Sequence, residues 1–253
     1  MNIANDLAMS LDPVAFSRAA GIAPDDWQAD VLRSGASRLL LNCSRQSGKS
    51  TTTGVLAVWT ALYDAGALVL LLSPSLRQSQ ELFRKCLDTY RAAGRPVSAS
   101  AESAMRLELD NGSRIVSLPG TEGSIRGFSA VKLLVIDEAS RVEDALYYGV
   151  RPMLAVGAGR LVAMSTPFGK RGWWHKEWTE GGADWQRVEV PASRCPRIPA
   201  TFLAEERRSL GPWWYRQEYE CAFSETTDSV FSYEEIQGAI TGEIAPLFGG
   251  ITA

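Results

Sequence analysis

Short, mostly apolar runs alternate with stretches of helical spacing over the first two-thirds of the chain. Leu39–Asn42, Ala67–Leu72, Lys132–Ile136 and Arg160–Met164 each have strand length and little polar interruption. Runs of this kind predict strands buried on both faces, as in a parallel sheet covered by helices. Between them, Thr51–Leu62 is rich in small and apolar residues. Gln78–Ala92 places Leu82, Phe83, Cys86, Leu87 and Tyr90 on one side of a helix. Pro24–Leu32 reads as a helix start, with Asp25 and Asp26 in the first turn. Arg106–Leu118 alternates apolar and polar residues around Asn111-Gly112, the signature of a hairpin. Residues 1–24 read as polar and irregular, with one short helix around Pro13–Ala20.

The pattern changes after residue 170. Six of the eight tryptophans fall between Trp173 and Trp214. A strand-like Trp185–Val190 precedes two helical stretches, Thr201–Ser209 and Pro212–Phe223. The expected division is a core over residues 1–170, a small packed subdomain over 171–228, and a loosely structured tail over 229–253.

Composition narrows the class without naming it. With 253 residues, 45% hydrophobic and 22% charged, the chain can bury one large α/β core plus a small appendage. No apolar run approaches the roughly 20 residues of a membrane span, so no membrane partner is expected. The first residues lack the pattern of a signal peptide. Cys43, Cys86, Cys195 and Cys221 are scattered and His175 is the single histidine, which argues against a zinc site and for a reducing compartment. A net charge of -3 gives no global sign of nucleic-acid binding. Lys170-Arg171 is a weak basic cluster, His175 is expected to be a surface or packing histidine, and the cysteines are expected to be core or inert.

Candidate chemistry lies where the strands end, as ligand sites of open parallel sheets do. Ser44-Arg45-Gln46-Ser47-Gly48-Lys49-Ser50-Thr51 joins a strand to a helix. Consecutive backbone N–H groups at a helix start cradle phosphates, with a lysine on the outer phosphates and a hydroxyl on magnesium. The first glycine of the full pattern is replaced by Cys43. Asp137-Glu138 ends another strand; an acid there can hold the metal and its neighbour can polarise the attacking water, although acids also favour helix starts. Ser165-Thr166-Pro167 ends a third strand, where a hydroxyl pair can sense the terminal phosphate. Trp27-Gln28, upstream of the first strand, offers an amide that can read the adenine edge beside an aromatic ring.

These four signals, in this order, resemble the ATPase domain of the phage terminase large subunit, the DNA-packaging motor. Trp27-Gln28 matches its adenine motif, Ser44–Ser50 its Walker A, Leu133–Ala139 its Walker B and Ser165-Thr166-Pro167 its coupling motif. Phe202–Arg207 and Tyr215–Tyr219 resemble its lid. The resemblance spans roughly residues 20–230, and the Arg45-Gln46 pair is typical of packaging ATPases.

It implies an α/β P-loop NTPase of the additional-strand, RecA/helicase-like type with a C-terminal lid. It assigns ATP and Mg2+ as cofactors, with Glu138, Lys49 and Arg126 catalytic. Ser50 and Asp137 would hold the metal. Trp27, Gln28, Ser44, Arg45, Gln46, Ser47, Gly48, Lys49, Ser50 and Thr51 would bind nucleotide. Arg126, between Gly123 and Gly127, is the expected finger acting in trans across a ring, with Arg45 as its rival. The partners implied are double-stranded viral DNA, a portal protein, a small terminase subunit and further copies in a ring, pentameric in expectation. The place of action implied is the host cytoplasm at the procapsid portal vertex. No nuclease activity is expected of residues 229–253, whose acids are Glu234, Glu235 and Glu243. The alternatives are half of a superfamily 2 helicase, for which too little chain follows Pro167, or a nucleotide-binding assembly module with little turnover.

Overall fold

The structure, a computed structural model, describes residues 3–120 and 127–224. Eight strands form one sheet: β1 (Arg38–Cys43), β2 (Leu68–Ser73), β3 (Ala99–Glu102), β4 (Arg106–Leu109), β5 (Arg114–Pro119), β6 (Val131–Asp137), β7 (Arg160–Ser165) and β8 (Gln186–Val190). Their spatial order is β3-β4-β5-β2-β6-β7-β1-β8. From β5 to β8 every neighbouring pair is parallel, whereas β3-β4-β5 is antiparallel. The apolar runs are the central strands, as their composition requires. The Asn111-Gly112 turn joins β4 to β5, with Gly112 at φ 82°.

Side chains on successive strand residues feed two cores, because strand residues alternate between faces. Leu39, Leu41, Val69, Leu71, Leu133 and Val135 join one core with Trp27, Phe83 and Tyr90. Leu40, Leu70, Leu72, Leu134 and Ile136 join the other with Tyr147, Trp173, Trp174 and Trp185. The first core is roofed by α3 (Asp26–Arg33), α4 (Lys49–Tyr63) and α5 (Leu76–Ala92). At Gly54 a Cβ would stand 3.3 Å from Lys85 Cβ, so the glycine lets α4 and α5 approach closely. The other face carries α6 (Asp144–Val150) and α7 (Gly172–Glu180), where Tyr147 and Trp173 stack with centroids 3.8 Å apart.

The sheet does not end near residue 170. Strand β8, inside the segment expected to be a small subdomain packed on the core, pairs in parallel with β1, and Trp173, Trp174 and Trp185 fill the main core. Large apolar side chains seek the largest available core, and the exposed edge of β1 supplies unpaired backbone groups for another strand. Only α8 (Ala200–Tyr219) and the turn before it have a small core of their own, around Ala192, Tyr215 and Tyr219. Gly211, at φ 74°, breaks α8 before Pro212, which accounts for two helical stretches in the sequence.

The N-terminal segment is more helical than its polarity indicates. α1 (Ile3–Leu11) and α2 (Pro13–Ala19) meet at Asp12, whose side chain accepts from the Val14 N–H. α1 buries no residue, so it carries little periodic signal; the Trp59 indole N–H donates to the Met9 carbonyl at 2.8 Å. His175 and all four cysteines are buried packing residues, and the cysteines are free thiols.

Candidate functional site

Three of the central strands end together at one edge, and their exits form an open pocket of about 410 Å³. Arg45, Gln46, Lys49, Gln78, Glu138 and Arg141 line it. A larger cavity, about 460 Å³, lies at the opposite ends of β1 and β7, lined by Ser37, Arg38, Arg151 and Leu161. The sheet's polarity favours the first, because strand exits gather the loops that carry chemistry.

The loop after β1 owes its shape to two left-handed residues, Gln46 at φ 59° and Gly48 at φ 96°. The φ of Gly48 favours glycine, and a Cβ there would also displace the movable ends of Gln28, 2.6 Å away at Nε2, and Arg197, 3.0 Å away at Nη2. Cys43, where the first glycine would stand, is the last residue of β1, paired with Val190 and fully buried. Burial pushes its thiol up to about 12, so it is a neutral core residue in the strand. The loop therefore starts at Ser44, and the substitution does not intrude on it.

Distant parts of the chain hold this loop. The Ser44 N–H donates to the Val190 carbonyl at 2.9 Å, and the Arg45 N–H to the Glu218 carbonyl at 3.1 Å. The Arg45 guanidinium also pairs with the Glu218 carboxylate on α8, and that partner raises its pKa. Arg197 donates to Asp25 Oδ1 at 2.7 Å and to the Ser47 carbonyl at 2.9 Å. It thereby straps the start of α3 to the loop. Gln28, 5% exposed, caps α3 by accepting from the Asp25 N–H and reaches the Gly48 carbonyl at 3.5 Å. Trp27 is 2% exposed and belongs to the core beneath. Ser44 and Ser47 are buried, while Ser50 and Thr51 lie half-buried in the first turn of α4.

The exit of β6 faces the loop. Lys49 Nζ lies 3.4 Å from Glu138 Oε1. Burial alone would lower the lysine's pKa, but the carboxylates of Glu138 and Asp137 outweigh it and hold the ammonium charged. Asp137 is pushed up to about 6 by its burial and then by the adjacent Glu138, with Lys49 opposing. Glu138 has φ 48°, a left-handed conformation that a non-glycine residue adopts only when its surroundings enforce it. Its own N–H donates to Asp137 Oδ1 at 2.9 Å.

The β7 exit joins this turn through hydroxyls. Ser140 Oγ and Ser165 Oγ are 2.7 Å apart, and Ser140 also donates to the Thr166 carbonyl at 2.9 Å. Ser165 and Thr166 are thus wired to the residue two places after Glu138, and Pro167 follows them directly. The structure brings together Gln28, Arg45, Gln46, Lys49 and Asp137-Glu138, with Ser165-Thr166 one hydroxyl away. Arg126 lies outside the described residues. Gln78, Arg141 and Arg197 also border the site. Gln78 follows the Ser73-Pro74-Ser75 exit of β2, a signal of the same kind as the other exits. Arg197 has no local signature.

An ammonium, two carboxylates and hydroxyls around a loop that opens a helix can bind a polyphosphate and deprotonate a water. For magnesium, the donor set fits: the Ser50 hydroxyl and the Asp137 carboxylate are hard oxygen donors at a helix start and a facing strand end.

Comparison with known proteins shows the family. A family model described as "Terminase large subunit, T4likevirus-type, N-terminal" covers residues 40–238. The large terminase subunit of Thermus virus P23-45 is 24% identical, over 86% of this chain and 52% of its own length. That of Escherichia phage T5 is 25% identical, over 83% and 50%. The chain thus spans about half the length of these relatives. Among solved structures, the large terminase ATPase domain of Thermus phage P74-26 superposes with a TM-score of 0.72 at 21% identity, covering 82% of this chain and 97% of that one. The large terminase of bacteriophage D6E, determined with ADP, gives 0.66 at 11% identity, covering 79% and 54%. At such identities these two structures speak for a shared fold of the P-loop, RecA-like kind. The match over most of the chain shows that this protein belongs to the family of phage terminase large subunits, as their N-terminal ATPase domain.

Proposed function

We propose that this domain binds ATP with Mg2+ and hydrolyses it to drive double-stranded DNA into a procapsid. The observation that carries the chemical part is the 3.4 Å approach of Lys49 to Glu138, between the phosphate loop and the β6 exit. A bound triphosphate would take Lys49 onto its outer phosphates and leave the Glu138 carboxylate free to accept a proton from the attacking water. Ser50 and Asp137 would hold magnesium, which neutralises charge on the phosphates. Ser44, Ser47, Gly48 and Thr51 would bind through the loop and the first turn of α4, and Gln28 would read the base edge beside it. The nucleotide reading is supported by the D6E large terminase, a relative in fold whose structures carry ADP and ATP-gamma-S.

The hydroxyl relay from Ser140 to Ser165 and Thr166 supports a coupling role for residues 165–167. Arg45, paired with Glu218, would link the phosphates to α8 as a lid element. Arg126 is proposed as the arginine completing a neighbouring subunit's site in a ring; DNA, portal and small terminase subunit are the proposed partners. The test is ATPase rate per subunit against protein concentration, with Arg126→Ala beside it. A trans finger predicts a rate that rises with concentration and collapses in the variant. A rate independent of both would sink the ring reading.

A further inference from the structure

Arg141 is the third residue after Glu138. Its N–H donates to the Glu138 carbonyl at 2.8 Å, closing the single 3-10 turn Ala139–Arg141. Its side chain is exposed and lines the same pocket as Lys49 and Glu138. The guanidinium also lies over the ring of Phe168, 4.0 Å from the centroid. Phe168 directly follows Ser165-Thr166-Pro167. A second pocket of about 290 Å³ opens on the far side of Arg141, bounded by Phe168 and Arg171. Arg141 therefore stands between the nucleotide pocket and the segment after β7.

Its electrostatic situation differs from that of Arg45, the other arginine in the pocket. Arg45 is held by the Glu218 carboxylate. Among the described residues, no carboxylate pairs with Arg141, and the aromatic face is the partner that its charge has. An exposed cation–π contact is weak beside the charge-assisted, two-pronged hydrogen bonding of a guanidinium to phosphate. Arg171 lies over the same ring, 4.7 Å from the centroid, so Phe168 keeps a cationic neighbour if Arg141 departs.

We propose that Arg141 contacts the terminal phosphate of a bound nucleoside triphosphate and leaves Phe168 to do so, which distinguishes triphosphate from diphosphate and reports the difference to residues 165–168. This inference rests on the pocket's being the ATP site. A diphosphate lacks the group that competes with the ring, so Arg141 stays stacked. A ligand shifts such a two-position residue only through differential contact, and the terminal phosphate is where the two nucleotides differ.

The experiment is calorimetric binding of a non-hydrolysable ATP analogue and of ADP, each with magnesium, to the full chain and its variants. Arg141→Ala, with Arg141→Gln as the variant that keeps a shorter, uncharged polar side chain, is expected to weaken the analogue about tenfold and leave ADP within about twofold. Phe168→Leu removes the ring face and is expected to tighten the analogue about two- to threefold, with ADP unchanged. Equal losses on both nucleotides, or an unaltered analogue affinity in both Arg141 variants, overturn the terminal-phosphate contact. Unchanged or weaker analogue binding in Phe168→Leu overturns the release from the ring. Lys49→Ala separates the two levels of the argument. If it binds both nucleotides like the wild type, the ATP-site reading itself fails. If it loses them while Arg141→Ala does not, this inference alone fails.

Discussion

The two halves of the site are held together in opposite ways. The phosphate loop is fastened by residues remote in sequence: Gln28, Val190, Arg197 and Glu218 each make a hydrogen bond to it. The Asp137-Glu138 turn is fastened by itself and by the next strand exit, through the Glu138 N–H, Ser140 and Ser165. The loop is therefore restrained from outside, by elements that precede and follow it in the chain. A turn that carries acids can use those acids and short hydroxyls as local acceptors. The loop half should therefore respond to changes in α3 and α8, and the acid half should not.

The largest expected effect is on the chemistry the halves share. Glu138→Gln removes the proposed base and should lower the ATPase rate about 10²–10⁴-fold, a typical range for general acid–base groups. Nucleotide affinity should hold. A rate within tenfold of wild type would mean that the acid half is not the catalytic one.

Next comes Asp137→Asn, which bears on the acid half alone. A buried aspartate whose folded pKa is raised from 3.8 to about 6 holds its proton more tightly folded than unfolded. Its contribution to stability is then fully present below the unfolded value and is lost as pH rises through about 6. In magnesium- and nucleotide-free buffer the variant should be more stable than the wild type at pH 7.5, by up to about 3 kcal/mol. The gap should close toward pH 4, as read by denaturant melts. A gap that widens on acidification would contradict the cause assigned to the shift.

Arg197→Ala tests the loop half. It removes two charge-assisted hydrogen bonds from a half-exposed side chain and should cost about 1–2 kcal/mol of stability. It should raise KM for ATP several-fold while changing kcat less, because the groups that react stay in place. A larger fall in kcat than rise in KM would show that the strap reaches the acid half too. Ser165→Ala should cost about 1 kcal/mol, through the hydroxyl it shares with Ser140. In a double-mutant cycle it should be additive with Arg197→Ala and non-additive with Ser140→Ala. Glu218→Ala is expected to be the mildest, at about 0.5–1 kcal/mol, because Arg45 is largely solvated.

How much was legible in the sequence followed the range of the interactions. Ala67–Leu72 and Lys132–Ile136 read as strands, within a residue of the observed ends, because residues buried on both faces must be apolar in succession. The loop at Ser44–Lys49 and the acids at Asp137-Glu138 were visible because their chemistry needs particular residues at adjacent positions. α1 was not visible, since it buries nothing. The tryptophans after residue 170 read as packing of a small appended subdomain, and three of them fill the main core. Arg197 and Glu218 carried no local signal, because an arginine that bonds to a carbonyl 150 positions away in the chain looks like any surface arginine.

The sequence by itself determined the parallel run of apolar strands and the helix after Ser44–Gly48, both of which follow from periodicity or from adjacent residues. Tertiary structure alone decided that β8 extends the sheet beyond β1, that Cys43 is a strand residue, and that Arg45 is paired while Arg141 rests on Phe168. The reason is physical: pattern along a chain records which groups are buried, but the partner of a charge depends on which elements meet in space.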